Sequence, residues 1–565
     1  QDTRMVGEYV YVISSKYINQ DNPRPPIYMR NGVLTDVPIK DIYYFEDYSS
    51  SYVFTIISAI NLEEDSMNTK VYMIGSTGTT YVSENNIFIT YQKYWDQEEY
   101  VKSYSEEVIL KILTGEEKNK VNDILDSEIE SYRKIDRMNN IVTDYSSSLK
   151  GEEKSEFDKR FFDLYNVFES EFYKRSVKTA INKISIDKLD INYLGSGEVP
   201  GTVLNQFSMD EYDNYFRIAT TTGNNWNSLS GNNLYVLDED LKIKGKIEDL
   251  AKGERIYSAR FMGKRAYLVT FKTVDPLFVI DLSNAEEPKV LGYLKIPGYS
   301  DYLHPYDENH VIGIGKDVNE SIDADKVHSD NAVYYTAILG LKVSLFDVTD
   351  VENPIEKSKI VLGDRGTESP VTYDHKALLF DKEKGILVIP VTLTQLRKQS
   401  GSYNNPEYEY PDQIWQGAYI LNIDDKDISI RGRISHHDET YEKLRAAKEE
   451  AIGAIRIDAQ KNIWTKFNII DQGRGYTLGQ WKTSAEGYND VIYNDYDIDN
   501  FPGGVNYYPF QDYSKQIQRS LYMDEVLYTI SLSNIKANNL NDLEEINNLK
   551  LDYNNNYNNF VSYAE

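Results

Sequence analysis

Leu277-Phe-Val-Ile-Asp281 is followed, seven residues after its Asp, by Pro288, and Val343-Ser-Leu-Phe-Asp347 is followed at the same spacing by Pro354. Between each Asp and its Pro lies a polar turn, Leu-Ser-Asn-Ala-Glu-Glu in one copy and Val-Thr-Asp-Val-Glu-Asn in the other. Each Pro opens a further apolar run, Val290-Leu-Gly-Tyr-Leu-Lys-Ile296 and residues 355–361. Short runs of β-branched and aromatic residues bounded by turn chemistry read as strands. Degenerate copies are Leu234-Tyr-Val-Leu-Asp238 leading to Gly245-Lys-Ile247, and Ala418-Tyr-Ile-Leu-Asn-Ile-Asp424 leading to Gly432-Arg-Ile434. A last copy runs from Val526-Leu-Tyr-Thr-Ile530 through Asn534-Ile-Lys-Ala537 to Leu543-Glu-Glu-Ile-Asn-Asn-Leu549.

Working outward from the first copy, residues 256–262 and Arg265-Ala-Tyr-Leu-Val-Thr270 add two strands ahead of it. The repeating unit is therefore four antiparallel strands in roughly 40–50 residues, the length of a propeller blade. One blade cannot bury both of its faces, whereas a ring of them buries every face and leaves only short edges. The spacing predicts a mainly β protein, a β-propeller of about seven four-stranded blades, with eight left open.

Two stretches break the pattern. Tyr9-Val-Tyr-Val-Ile13, Tyr52-Val-Phe-Thr-Ile-Ile57, Lys70-Val-Tyr-Met-Ile74 and Asn86-Ile-Phe-Ile-Thr90 are strand-like, but the period then changes. Thr114-Gly-Glu-Glu117 has the spacing of a capping box, and Val121, Ile124, Leu125, Ile129, Tyr132 and Ile135 recur at helical intervals. Phe157, Phe161, Leu164, Tyr165, Phe168 and Phe172 share a second helical face. Such stripes predict two helices packed on each other and on the β body, with a partner-binding groove as the rival reading. The resulting map is first blades at 1–96, a helical insertion at 97–180, central blades at 181–438, an irregular insertion at 439–515 and a closing blade with its tail at 516–565. Within the irregular insertion, 441–452 reads as a short helix and 463–470 as a strand. A smaller polar interruption falls at 317–335.

Composition limits the chemistry. With 41% hydrophobic residues in 565, the chain has material for a large core. Its net charge of −29 argues against nucleic acid or an anionic bilayer as partner, because both demand neutralisation by Lys and Arg. There is no cysteine, so disulfides, thiolate nucleophiles and Cys-bound zinc are excluded, and only six His are present. No run approaches the apolar length of a membrane span. Either the chain is cytoplasmic or a targeting segment has been removed.

Gly197-Glu-Val-Pro-Gly201, Asn232-Asn-Leu-Tyr-Val-Leu-Asp238, Gly253-Glu-Arg-Ile-Tyr-Ser258 and Phe261-Met-Gly-Lys-Arg-Ala-Tyr-Leu-Val-Thr-Phe271 carry a resemblance, as do Asp275-Pro-Leu-Phe-Val-Ile-Asp-Leu282, His304-Pro-Tyr-Asp-Glu-Asn309 and Tyr373-Asp-His-Lys-Ala377. Together with Arg519-Ser-Leu-Tyr522 and Val526-Leu-Tyr-Thr-Ile-Ser531, they resemble the secreted β-propeller domain family of archaea and bacteria, a distant relative of WD-repeat propellers. The resemblance covers nearly the whole chain. It implies an extracellular or cell-surface location, and a signal or anchor with further β material ahead of Gln1. Any membrane association would run through such a segment. The family brings no established activity to particular residues.

Candidate sites follow from residue type and position. Asp495, Asp497 and Asp499 stand at positions 1, 3 and 5 of a calcium-loop-like stretch, where alternate carboxylates converge on a hard cation. Position 12 is Asn506 rather than Glu, so this is no EF-hand, and a solvated acidic loop is the plainer reading. Asp317, Asp323, Asp325 and Asp330 with His328 form a weaker acidic group. His304, His375 with its neighbour Asp374, Arg260 and Arg519 fall before or within first strands of their units, which line the channel of a propeller. At a channel mouth they would bind an anion or a carboxylated ligand; otherwise they bond neighbouring blades. His436-His437 reads as a surface pair. Tyr403, Tyr408, Tyr410, Trp415, Tyr507 and Tyr508 suit a carbohydrate or peptide groove, or simply pack loops. Asn319-Glu-Ser321 is a glycosylation sequon in a polar stretch, with Asn319 as its acceptor.

No nucleophile elbow, phosphate loop, dinucleotide fingerprint or His-Glu-x-x-His is present. The expected function is a non-catalytic binding or scaffold module at the prokaryotic cell surface, taking an extracellular protein or glycan, with calcium as the one cofactor to consider. Self-association fits as well. The rivals are a secreted hydrolase acting on extracellular glycans or peptides and a structural component of the cell envelope.

Overall fold

The structure, a computed structural model, describes residues 2–19, 23–30, 32–44, 52–64, 66–75, 78–223, 230–271, 275–319, 338–399, 408–437, 465–471, 476–482 and 513–552. The chain forms two compact units, Gln1–Lys295 with Asp350–Pro354, and Ile296–Thr349 with Ile355–Glu565.

The first unit holds four sheets built from consecutive strands. Sheet 1 joins Asp2–Val6, Tyr9–Tyr17, Tyr52–Asn61 and Ser66–Gly75 in antiparallel order, with Ile42–Tyr44 added in parallel at its edge. Sheet 2 joins Thr80–Val82, Asn86–Lys93, Lys178–Asp187 and Asp190–Pro200. In sheet 3, Thr202–Val203 and Met209–Tyr212 both pair with Tyr215–Thr222, followed by Gly231–Leu237 and Ile243–Leu250. Sheet 4 joins Arg255–Met262, Arg265–Phe271, Asp275–Asp281 and Lys289–Ile296, the four strands expected of the repeat.

The second unit repeats the plan three times. Sheet 5 is Tyr299–Asp307, His310–Val318, Ile338–Asp347 and Ile355–Leu362. Sheet 6 is Leu379–Asp381, Ile386–Gln399, Tyr408–Ile423 and Ile428–Ile434. Sheet 7 is Arg519–Met523, Val526–Ile530, Asn534–Asn539 and Glu545–Lys550. Seven sheets of four or five strands thus stand among the described residues, and the expected blade count is met. Inside the 439–515 insertion, Thr465–Asp471 pairs with Tyr476–Lys482 as a hairpin, two strands where one is expected; the helix read at 441–452 lies outside the described residues.

In sheets 2 to 6 the second and third strands are buried on both faces over most of their described length. Residues 231–237 are buried without interruption, as are seven consecutive residues of His310–Val318. This is why these runs read as continuous apolar stretches rather than alternating ones.

The helical insertion lies within sheet 2, not between blades. Lys93 opposes Lys178 in the ladder, so the insertion is the connection between the sheet's second and third strands. The strand already begins at Lys178, which moves the expected boundary at 180. The predicted two helices are corrected to α1 (Gln97–Tyr104), which continues through a π-helical turn at Ser105–Ile109 into α2 (Leu110–Ile112), then α3 (Glu116–Leu125), α4 (Ser131–Ser148) and α5 (Gly151–Ser176). The stripe from Val121 to Ile135 is broken between Leu125 and Ser131. Thr114 forms no capping box, because Gly115, at φ 62°, takes the cap position itself. Val121, Met138, Val142, Phe168 and Phe172 bury together with Val101, Tyr104 and Val108, giving the insertion its own core. No helix among the described residues is long and apolar enough to cross a membrane.

The repeated Asp has a local cause. At the end of the third strand of six sheets, Asn61, Asp238, Asp281, Asp347, Asp424 and Asn539 each accept a bond from the amide two residues on, at 2.8–3.1 Å. Such Asx turns replace ladder bonds where the chain reverses into the fourth strand. The glycines of the repeat have a tertiary one. A Cβ on Gly245 would sit 2.1 Å from the Ala285 carbonyl and 2.8 Å from Pro288, in the following sheet's turn. Gly197 faces Leu241 in the same way, and Gly292 faces the carbonyls of Val351 and Glu352. In the second unit Gly432 receives Leu543. On sheet 5 Ser358 takes the glycine's place: its hydroxyl donates to Asp427 at 2.6 Å and accepts from the Ile428 amide at 3.2 Å.

The long connections fall between second and third strands or, after sheet 6, between one sheet's fourth strand and the next sheet's first. They are residues 18–51 in sheet 1, 94–177 in sheet 2, 319–337 in sheet 5, the extended 14- and 16-residue arms of sheet 6, and residues 435–518 between sheets 6 and 7. In an antiparallel sheet both kinds of connection lie at the end where the first strand begins, opposite the Asx turns. Each sheet therefore has a tight end and a loop-bearing end.

Gly245→Ala is expected to lower stability by about 1–3 kcal/mol, through forced separation of two sheets. Gly195→Ala, in a fourth strand with no atom within 4 Å of the added methyl, should stay within about 0.5 kcal/mol of the parent. Denaturant melts of both variants check the contrast, and equal losses would remove the packing account.

Candidate functional site

The residues expected at a channel mouth are distributed over both units. In the second, His304 lies in the first strand of sheet 5, Asp374 and His375 in a short helical turn ahead of sheet 6, and Arg519 at the start of sheet 7. Asp374 and Arg519 are brought together, with Nη2 2.5 Å from the carboxylate, and Asp374 also caps its turn by accepting the Lys376 amide at 3.0 Å. This ion pair joins sheets 6 and 7. His304 Nδ1 lies 3.0 Å from the Tyr302 hydroxyl, and its ring meets Phe380 edge-on at 5.1 Å. Both histidines are half-buried. In the first unit, Arg260 lays its guanidinium 4.1 Å from the centre of the Phe207 ring.

His436 is not a surface residue. It is 1% exposed, with Nδ1 2.9 Å from Ser531 Oγ and Nε2 2.9 Å from Thr529 Oγ1. The ring fills the space between sheets 6 and 7, and both nitrogens are used because a buried imidazole must satisfy both. Nothing in the local sequence distinguishes it from an exposed pair, since its partners lie far along the chain.

A charged network was not legible at all. Asp307, closing the first strand of sheet 5, accepts from His310 Nδ1 at 2.9 Å, the Asn309 amide at 2.9 Å and Lys382 at 2.8 Å. Asp347 accepts from Lys357 at 2.8 Å and lies 3.7 Å from His310 Nε2. Partial burial pushes the Asp307 carboxyl up, but Lys382, the Asn309 amide and His310 outweigh it and hold it down to about 2. Asp347 is likewise held well below the usual carboxylate range, burial being outweighed by Lys357 and Thr349. The network sits at the tight end of sheet 5 and ties it to sheet 6.

At the loop-bearing end of the first unit lies a recess of about 500 Å³. One wall comes from sheet 2 and the end of α5, with Gln92, Tyr94 and Tyr173; the other is Arg255, at the start of sheet 4. Val177, Val203, Leu204 and Ile256 supply apolar surface, and Thr202, Thr221 and Gly223 line it from sheet 3. Arg255 stacks over the Tyr257 ring at 4.7 Å and donates to its hydroxyl at 3.1 Å. Burial, then the neighbouring Glu169, pushes the Tyr173 phenol up, so it stays a protonated donor at neutral pH. Tyr94 is 63% exposed and Leu204 47%. Aromatic walls, an amide, hydroxyls and a guanidinium around an apolar floor suit a neutral or anionic polar ligand. This recess draws on three sheets and a helix, and of its lining residues only Arg255 and Ile256 belong to the repeat segments legible in the sequence.

Asp495, Asp497 and Asp499 lie outside the described residues, as do Asp323, Asp325, His328, Asp330, Tyr403, Tyr507 and Tyr508. Among the described residues there is no group of three His, Asp or Glu that would hold a metal. Asn319 is exposed, and the rest of its sequon lies outside the described residues. Trp415 is half-buried, with Tyr419 edge-on at 5.2 Å and the Arg433 guanidinium at 5.1 Å from its ring.

The beta propeller domain family matches residues 1–465. An uncharacterized protein of Methanocaldococcus jannaschii is 37% identical over 390 residues, covering 68% of this chain and 55% of that protein. An uncharacterized protein of Archaeoglobus fulgidus is 32% identical over 394 residues, covering 69% and 58%. The matched region thus spans little more than half the length of each of these archaeal relatives.

Two outcomes test the polar contacts. Because Asp307 and Asp347 are held low, their contribution to stability is fully present above the unfolded carboxylate pKa near ~4 and is lost as pH falls from there through their lowered folded values. Asp307→Asn should cost on the order of 1–2 kcal/mol at pH 7 and flatten the acid slope between about pH 4 and 2; an unchanged slope in pH-dependent melts would contradict the network. His436→Ala should cost roughly 1–3 kcal/mol in denaturant melts, by opening a cavity between sheets 6 and 7 and taking its partner from the buried Thr529 hydroxyl.

Proposed function

Because this chain belongs to the β-propeller domain family, we propose that it is a binding module of the prokaryotic cell exterior, with the loop-bearing end of its blades as the recognition surface. The observation that carries this reading is that the long insertions enter and leave their sheets at one end, in second-to-third-strand connections and in the connection from sheet 6 to sheet 7. A propeller's ring surfaces are where connections emerge, and a fold that tolerates insertions at one end keeps a rigid frame at the other. The recess between Tyr94, Tyr173 and Arg255 supplies a concave site of ligand size at that end.

Its lining favours a short saccharide segment. Phenol faces stack on the C–H surface of a sugar ring, while Gln92 and Arg255 offer the hydrogen bonds that orient hydroxyl or carboxylate groups. An acidic, cysteine-free composition suits an exterior location, and the similar proteins are archaeal.

Glycan-array and titration measurements should show saturable binding that falls about tenfold or more in Tyr94→Ala and Arg255→Ala, with melting temperature retained. Binding only to peptides would replace the ligand class, release of product would make the chain a hydrolase, and no saturable binding to either would end the reading. Protease treatment of intact source cells should cleave the propeller; protection until lysis would overturn the exterior location.

A further inference from the structure

The helical insertion has a second concavity, of about 740 Å³, between α5, α2 and α3. On α5 it is lined by Glu156, Lys159, Arg160, Asp163, Leu164 and Val167. These positions recur at helical spacing and span about 16 Å at 1.5 Å per residue, three turns of one face. Leu110 and Lys111 from α2 and Lys118 from α3 complete it. Arg160 anchors the arrangement by donating to the Lys111 carbonyl at 3.1 Å.

The charge of this groove runs against that of the chain. A protein of net charge −29 places four cations here against two carboxylates. Several cations elsewhere in the insertion are matched: Lys120 with Glu116, Lys154 with Asp158, Lys174 with Asp249 and Arg175 with Glu107. Lys111, Lys118, Lys159 and Arg160 make no ion pair among the described residues. The floor beneath them is apolar, since Leu110 and Leu164 extend from the insertion's core and Val167 is 64% exposed.

We propose that this groove docks an acidic amphipathic helical segment of a partner protein. Apolar residues three and four apart on the segment would lie on Leu110, Leu164 and Val167, and its carboxylates would meet the four cations. Concavity disfavours a planar bilayer, which cannot follow a groove floor. The interleaved Glu156 and Asp163 disfavour a polyphosphate backbone and fix the register of an incoming helix. The proposal is independent of the sugar reading, because it uses a different surface.

The test uses the full chain and a fluorescein-labelled synthetic peptide of four helical turns, with Leu at i, i+3, i+4 and i+7 and Glu elsewhere. A peptide with Lys in place of Glu is the control. Anisotropy titrations should show saturable binding of the Glu peptide alone, weakened by salt, and weakened about tenfold in Lys118→Glu/Lys159→Glu. Lys120→Glu, outside the groove, should bind as the parent does. Val167→Asp should also weaken binding, with the melting temperature of all variants unchanged. Equal binding of both peptides, indifference to the double charge reversal, or binding of vesicles of phosphatidylcholine and phosphatidylglycerol in place of the peptide would each overturn the proposal.

Discussion

The close seating of one sheet's third-to-fourth-strand turn against the preceding sheet's fourth strand is the contact on which the architecture rests. Gly197, Gly245, Gly292 and Gly432 leave room for it, and at the Ala285 carbonyl the clearance is smaller than a methyl group. Packing at this density tolerates neither a gap nor an added carbon. The turn that enters must therefore have a reproducible shape, which the Asx bonds of Asp238, Asp281, Asp347 and Asp424 supply. A side-chain carboxylate and a missing side chain thus cooperate across neighbouring sheets. Ser358 shows that the constraint is steric rather than specific to glycine, since a small hydroxyl that bonds the incoming turn also satisfies it.

That contact divides each blade into two functional ends. At the tight end, polar groups are spent on one another: Asp307, His310, Asp347, Lys357 and Lys382 form a closed network between sheets 5 and 6. At the other end the second-to-third-strand connections can lengthen without disturbing the ladder, and one of them has grown into a helical bundle with a core of its own. Asp374 and Arg519, which by residue type would suit an anion site, are held by each other and join sheets 6 and 7. In the first unit, one concave surface arises where the insertion meets strands and another within the insertion itself.

What could be read along the chain was whatever a short segment decides by itself. Strand identity, the Asp-to-Pro turn, the period of the repeat and the helical stripe of Phe168 and Phe172 all depend on neighbours within one element, and all were legible. The helix count was not, because Gly115 takes a positive φ that a spacing rule cannot see, and the stripe running through Ile129 is interrupted without losing its period. His436 failed for a different reason: its two partners are Thr529 and Ser531, more than ninety residues away.

The amino-acid sequence alone therefore determined the four-stranded unit, its repetition and the place of the helical insertion, because local hydrophobic period and turn chemistry act over a few residues. Which polar side chains cement the sheets and which surfaces stay open was decided only by tertiary structure. Lys382 meets Asp307, and Arg255 faces Tyr94 and Tyr173, through stacking of elements far apart in the chain, and no local preference encodes such a meeting.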